Sequence, residues 1–230
     1  MTDPQKNLTL LLREALQKVA EPERAPKMQA YMKSKMPYLG VPAKPLRAAC
    51  TGVFSAHPLN DAETWRADIL TLWRGAEFRE ERYCAIELAG DKRAKKLQTM
   101  ASLPMYEEMI TSGAWWDYVD VLASHRLGDL LRAEPNTMKP TMRQWSTDED
   151  MWKRRSSILC QLMCKKTTDL ELLVDCMAPS LASKEFFLRK AIGWALRQYA
   201  WVDPSWVKRY VNANEEKLSG LSKREALKNL

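Results

Sequence analysis

The apolar residues of this chain recur at helical spacing, and no strand-sized window alternates between apolar and polar side chains. Leu8, Leu12 and Val19 illustrate the pattern within a helix predicted over residues 5–20. Only 8 of the 230 residues are glycine, and strong helix formers such as leucine, alanine and glutamate are abundant. These features predict an all-α fold, and we expect residues 1–230 to form a single domain.

Start signals divide the chain into about a dozen short helices. Asn60 and Asp61 are predicted caps of one helix and Asp203 of another, and Thr147, Thr168 and Ser222 each begin a predicted capping box with an acidic residue three positions later. Apolar-rich helices recur at roughly regular intervals, around residues 65–73, 83–89, 115–131, 155–164 and 187–199. This spacing predicts a superhelical solenoid of HEAT-like helix pairs. A compact irregular helical array is the alternative, because the segments resemble one another weakly.

The positive charge of the chain is compatible with an anionic partner. Its formal net charge of +7 fits nucleic acid or an anionic membrane surface, and equally an ordinary, mildly basic protein surface. The first ten residues lack the features of a signal peptide, and no segment has the roughly 18 uncharged residues of a membrane span. Five cysteines without framework spacing indicate a reducing compartment, so we expect a cytoplasmic protein. The scattered cysteines and two histidines predict neither a metal site nor a cofactor.

The run WWDYVD, residues 115–120, is the strongest candidate for a chemical site. Trp116 and Asp120 are four residues apart, which puts both side chains on one face of a helix. A carboxylate beside an indole suits the stabilisation of a cationic ligand or transition state. Asp117 has a simpler explanation at the helix start, where the helix dipole favours negative charge. For Asp120, a surface carboxylate that points away from the core is the alternative.

Cations in the second half of the chain form a second candidate feature. Trp194 has Lys190 four residues before it and Arg197 three residues after it, which predicts either one lip of a cleft or an indole covered by basic stems. Arg155 leans toward the apolar face of its predicted helix, next to Arg154. An arginine in that position can bind a phosphate or pair with a buried carboxylate. Basic residues on successive helices predict a stripe that follows a phosphate backbone.

Three separated motifs resemble the AlkD-type family of DNA alkylation-repair glycosylases. They are WWDYVD, MWKRRSSILCQL and FFLRKAIGWALRQYAWVDPSWV, and the earlier YMKSKMPYLGVP is also similar to that family. The resemblance extends from about residue 28 to 212. It implies a solenoid of HEAT-like repeats whose concave basic face holds duplex DNA, acting as a monomer. It also implies hydrolysis of the N-glycosidic bond of cationic N3- or N7-alkylated purines.

The resemblance assigns a role to individual residues of this chain. It implies that Asp120 is the catalytic carboxylate and that Trp116 and Trp194 are the cleft tryptophans. It also implies DNA contacts by Arg155, Arg197 and an N-terminal tyrosine that matches Tyr31; the basic residues Lys190 and Arg154 are further candidates.

The predicted reaction is compatible with the residues present. A cationic purine leaves as a neutral base, so the reaction needs no general acid, in agreement with the lack of histidine in the motifs. A carboxylate stabilises the oxocarbenium-like sugar. No lysine neighbours Asp120, which predicts a monofunctional glycosylase without lyase activity. Two other functions remain possible for the scaffold: a non-catalytic HEAT-repeat protein that binds damaged or branched DNA, and a protein-binding HEAT scaffold.

Overall fold

The structure is a computed structural model that describes the backbone of residues 4–230 and the side chains from residue 8 onward. Within this part of the chain every regular element is a helix, which confirms the predicted all-α class. The first five helices are α1 (Pro4–Gln17), α2 (Ala25–Met32), α3 (Ala43–Ala56), α4 (Ala62–Arg74) and α5 (Arg79–Ala89).

The later helices are similarly short. They are α6 (Leu103–Gly113), α7 (Trp116–Val121), α8 (Gly128–Ala133), α9 (Pro135–Ser146), α10 (Met151–Leu159), α11 (Leu170–Met177), α12 (Phe186–Tyr199), α13 (Pro204–Ala213) and α14 (Gly220–Ala226). Among the helices described, none has the length and apolar character needed to cross a membrane.

The chain divides into two compact units, one ending at Met105 and the other spanning Tyr106–Leu230. In the first unit, Trp65 and Trp73 are completely buried, and the Trp65 indole donates a hydrogen bond to the carbonyl of Leu88. The second unit has its own continuous core, to which α10, α11 and α12 contribute most of the apolar side chains. Each unit therefore has the buried apolar surface that stabilises a folded body.

The N-terminal caps agree with the sequence in part. Asp61 and Asp203 accept hydrogen bonds from backbone N–H groups three residues ahead, as predicted for caps. The three predicted capping boxes are wrong. The residues that cap these helices are Asp150, Asp169 and Ser219, whose side chains accept hydrogen bonds from the exposed N–H groups of the first turn. In each case the observed cap lies one to three residues from the predicted one, because several residues that are able to cap a helix stand close together in the sequence.

The apolar-rich helix predicted around residues 115–131 is interrupted by a π-helical segment. Residues Leu122–Leu127 form a π-helical segment between α7 and α8. Gly128 follows it, and a Cβ atom at that position would lie 2.7 Å from the carbonyl oxygen of Cys160, which follows α10. The missing side chain therefore permits the start of α8 to lie close to the end of α10, the helix that carries Arg155. Insertions of this kind are frequent near functional sites.

Candidate functional site

The start of α7 is set by an unusual turn. Ala114 has φ of 42°, in the left-handed region that is costly for a residue with a Cβ, and Trp115 is extended. The chain then enters the helix at Trp116, with Asp117 in the first turn, where a carboxylate interacts favourably with the helix dipole. Asp120 lies one turn later, just before the π-helical segment. Trp116 and Asp120 therefore both belong to the short helix α7, in agreement with the sequence prediction that one helix carries them.

Asp120 is held by Arg155 from α10 through two parallel hydrogen bonds. Arg155 Nε donates to Asp120 Oδ1 at 2.7 Å, and Nη2 donates to Oδ2 at 2.8 Å. The Arg155 side chain is 5% exposed and that of Asp120 is 13% exposed, so the Asp120 side chain is not fully closed off from solvent. Such a bidentate pair fixes both the position and the plane of the carboxylate. Of the two roles that the sequence allowed for Arg155, the structure contains the pair with a buried carboxylate.

The pKa of Asp120 is raised above its ordinary value of 3.8, chiefly because burial penalises the charged form. The hydrogen bonds and the charge of Arg155 oppose this effect, and the nearby charge of Asp117 adds to it. The carboxylate is thus less solvated than an ordinary surface aspartate, and its charge acts more strongly on a nearby cation.

The guanidinium of Arg155 contacts an aromatic cluster through Phe187. Phe187 accepts a hydrogen bond from Arg155 Nη1 on its backbone carbonyl, and its ring centroid is 5.8 Å from Arg155 Cζ. Trp115 and Trp152 pack on the same ring, with centroid separations from Phe187 of 5.5 and 4.9 Å. The sequence analysis missed Phe187. Phe187 is seven residues before Trp194, so both lie on one side of α12. This spacing in the sequence would have indicated Phe187 as a site residue.

Two of the cations on α12 pair with Glu225, and the sequence analysis missed this pairing. Lys190 Nζ is 2.9 Å from Glu225 Oε1, and Arg197 Nη1 is 2.5 Å from Glu225 Oε2. Glu225 comes from α14. The structure therefore brings Lys190 and Arg197 together around one carboxylate. Trp194 lies between them on α12, half-buried and packed against the core of the second unit.

Comparison with known proteins identifies the family. A family model described as DNA alkylation repair enzyme matches residues 12–230. The chain belongs to the DNA alkylation repair enzyme family. Its resemblance to the AlkD-type members is thereby confirmed, and family membership gives it a role in alkylation repair with DNA as its partner.

One solved structure agrees with membership in this repair family, and a second is similar in fold. A protein described as a predicted DNA alkylation repair enzyme from Enterococcus faecalis is 32% identical in sequence, with a TM-score of 0.80 over 92% of this chain and 96% of that chain. The smu.31 protein of Streptococcus mutans UA159 is 16% identical, with a TM-score of 0.58 over 81% of this chain and 92% of that chain, and it supports the fold alone. No curated protein matches the chain.

The remaining site residues predicted for this repair-family chain have varied surroundings. Tyr31 is on α2 in the first unit, with 74% of its surface exposed. Arg154 is half-buried on α10, and its buried Nε has no hydrogen-bond partner among the described residues. Trp116 is half-buried, one turn before Asp120. In the part of the chain that the structure describes, no group of three metal-ligating side chains is placed to hold an ion.

Proposed function

We propose that this protein is a monofunctional DNA glycosylase that removes cationic N3- and N7-alkylated purines from duplex DNA. The observation that carries this proposal is the environment of Asp120, whose carboxylate is ion-paired and oriented by Arg155 while 13% of the side chain remains exposed. A purely structural aspartate in this position has no need of the remaining solvent access. A catalytic carboxylate needs it, because substrate and water have to approach.

The proposed reaction is hydrolysis at the anomeric carbon of the damaged nucleotide. The bond between C1′ and the purine nitrogen breaks, and its electron pair leaves with the alkylated base, which becomes neutral. Asp120 stabilises the positive charge that develops on the sugar. A water molecule then bonds to C1′ through its oxygen, and Asp120 accepts or directs the proton that this water loses. The products are the free alkylated base and an abasic sugar in the DNA, which completes the first step of base excision repair.

In this proposal the main role of Arg155 is to position Asp120, and contact with DNA is its second role. Its two hydrogen bonds keep the carboxylate in one orientation, and its charge favours the ionised form. The contact with a backbone phosphate that the sequence predicted for Arg155 remains part of the proposal. A phosphate in that position competes with Asp120 and the Phe187 carbonyl for the same guanidinium.

The predicted tryptophans and cations complete the proposed site. Trp116 and Trp194 offer indole faces that attract a cationic nucleoside more than a neutral one. Arg197, Lys190, Arg154 and Tyr31 contact the duplex. We further propose that residues 1–230 act as one monomeric domain in the cytoplasm, a HEAT-like solenoid with a concave basic face that holds the DNA. These features are expected of a family member that binds the DNA backbone.

The test is single-turnover release of 7-methylguanine from a defined duplex, with the wild type compared to Asp120→Asn. We expect a loss of about a hundredfold or more in the variant, the size typical for removal of one preorganised electrostatic group. Asp129→Asn is the matched control, since Asp129 on α8 is also paired with an arginine, Arg132. The control should release the base at the wild-type rate.

Other results distinguish the alternatives. Equal release by the wild type and Asp120→Asn keeps the glycosylase and refutes the role of Asp120. No release by the wild type, with the duplex still bound in a salt-dependent way, refutes the glycosylase and favours a DNA-binding protein without catalysis.

A further inference from the structure

The two cations beside Trp194 share one anionic partner. Lys190 and Arg197 are seven residues apart on α12 and therefore lie on one side of the helix. Glu225 reaches both of them, each with a different carboxylate oxygen. The sequence alone suggests two positive charges here, from Lys190 and Arg197. With the negative charge of Glu225 included, the net charge of the group is +1. Any anion that approaches this side of α12 meets a carboxylate already in place.

Tight packing of α14 against α12 fixes the position of Glu225. A Cβ atom at Gly193 would lie 2.5 Å from the Glu225 Cβ and 2.9 Å from the carbonyl oxygen of Ser222. Ser222 Oγ donates a hydrogen bond of 3.0 Å to the carbonyl of Arg189, and Ala226 is completely buried. The backbone of α14 therefore holds Glu225 beside the cations, and rotation of the side chains is enough to separate the charges.

Glu225 carries its charge at neutral pH. Its hydrogen bond to Lys190 is the main cause of a lowered pKa, and the charges of Lys190, Arg197 and Lys228 add to it against the smaller opposing effect of burial. The side chains of Lys190 and Arg197 are 39% and 24% exposed, so an incoming phosphate is able to reach both cations.

We propose that Glu225 is a specificity-determining residue that weakens binding to undamaged duplex by competing with backbone phosphates for Lys190 and Arg197. This inference rests on the proposed function, in which these two cations contact DNA. Phosphate contacts attract every duplex regardless of damage, because they depend on charge and counterion release. A repair enzyme meets a large excess of undamaged DNA. It distinguishes damaged from undamaged duplex better when a carboxylate of its own neutralises part of this attraction. Lesion recognition then depends more on the tryptophans and Asp120.

The test measures binding of the full chain to an undamaged fluorescent duplex, by anisotropy, over a series of salt concentrations. We expect Glu225→Gln to tighten binding about three- to fivefold, the size of one exposed ion pair. The slope of log affinity against log salt should steepen by about 0.9 for each additional phosphate that the variant neutralises. Glu225→Ala keeps the Cβ that packs beside Gly193, so it repeats the test if the glutamine variant is unstable.

Asp175→Asn is the matched control, because Asp175 is 2.7 Å from Arg143 Nε and its loss changes the net charge equally. Unchanged affinity in this control assigns the tighter binding to Glu225 rather than to total charge. An equal increase in affinity in the control overturns the proposal.

Arg197→Ala separates this proposal from the proposed function. If Arg197→Ala binds more weakly and Glu225→Gln binds no more tightly, the proposed competition between Glu225 and phosphate is overturned, while the contact of Arg197 with DNA is supported. If neither variant changes the affinity, both the competition and the DNA contact are overturned. Release of 7-methylguanine in the Asp120→Asn comparison is independent of these outcomes and tests the glycosylase by itself.

Discussion

Replacing Arg155 with methionine tests how strongly the site depends on its central ion pair. The change removes two hydrogen bonds to Asp120 and one to the Phe187 carbonyl, while methionine keeps much of the apolar volume beside Phe187. Removal of one partner from a buried ion pair costs about 3–5 kcal/mol. Because the Asp120 side chain remains 13% exposed, we expect the lower end, about 3 kcal/mol.

The assay is urea unfolding of four proteins: wild type, Arg155→Met, Asp120→Asn and the double variant. If the pair acts as a unit, the double variant loses less stability than the two single variants together. We expect a coupling free energy of about 1–3 kcal/mol. A coupling below about 0.5 kcal/mol, the usual limit for independent sites, refutes the argument that Arg155 stabilises the folded chain through Asp120.

The pH dependence of this loss has a defined sign. Burial already raises the pKa of Asp120, and removal of Arg155 takes away the interaction that opposed burial. A carboxyl group whose pKa is higher in the folded than in the unfolded chain favours folding while it is protonated, and this contribution disappears as the pH rises through the folded-state pKa. The destabilisation of Arg155→Met should therefore be smaller in mild acid than at neutral pH. A loss that is the same at both pH values contradicts an unpaired Asp120 charge as its cause.

Two further predictions follow from the same geometry. Release of 7-methylguanine, corrected for spontaneous loss, should fall in acid with a midpoint above the ordinary pKa of 3.8, since burial raises the pKa of Asp120; a midpoint at or below 3.8 contradicts Asp120 as the ionising group. Gly128→Ala should lower stability by about 1–3 kcal/mol in urea unfolding, because its Cβ would meet the Cys160 carbonyl oxygen at 2.7 Å. Gly52→Ala is the matched control, with nothing within 4 Å of the added Cβ, and should be neutral or stabilising; equal losses in the two variants contradict the packing argument.

The sequence predicted some elements well because their signals are local. The spacing of apolar residues predicted the helical class, and Asp61 and Asp203 were found as caps because each comes directly before the first residue of its helix. The capping boxes at Thr168 and Ser222 were wrong because a neighbouring aspartate or serine satisfies the same N–H groups. The π-helical segment after Asp120 had no sequence signal, because its residues favour an ordinary helix as much as a wider one.

The sequence by itself determined which residues are candidates for chemistry. Trp116 and Asp120 share a face through a spacing of four residues, and the family motifs identified the repair family that the comparisons confirm. Only the tertiary structure decided the partners of these residues. Arg155 meets Asp120 across 35 positions, and Glu225 meets Lys190 across 35 positions and Arg197 across 28. Charge pairing between distant residues depends on how helices pack, which helical spacing along one segment does not specify.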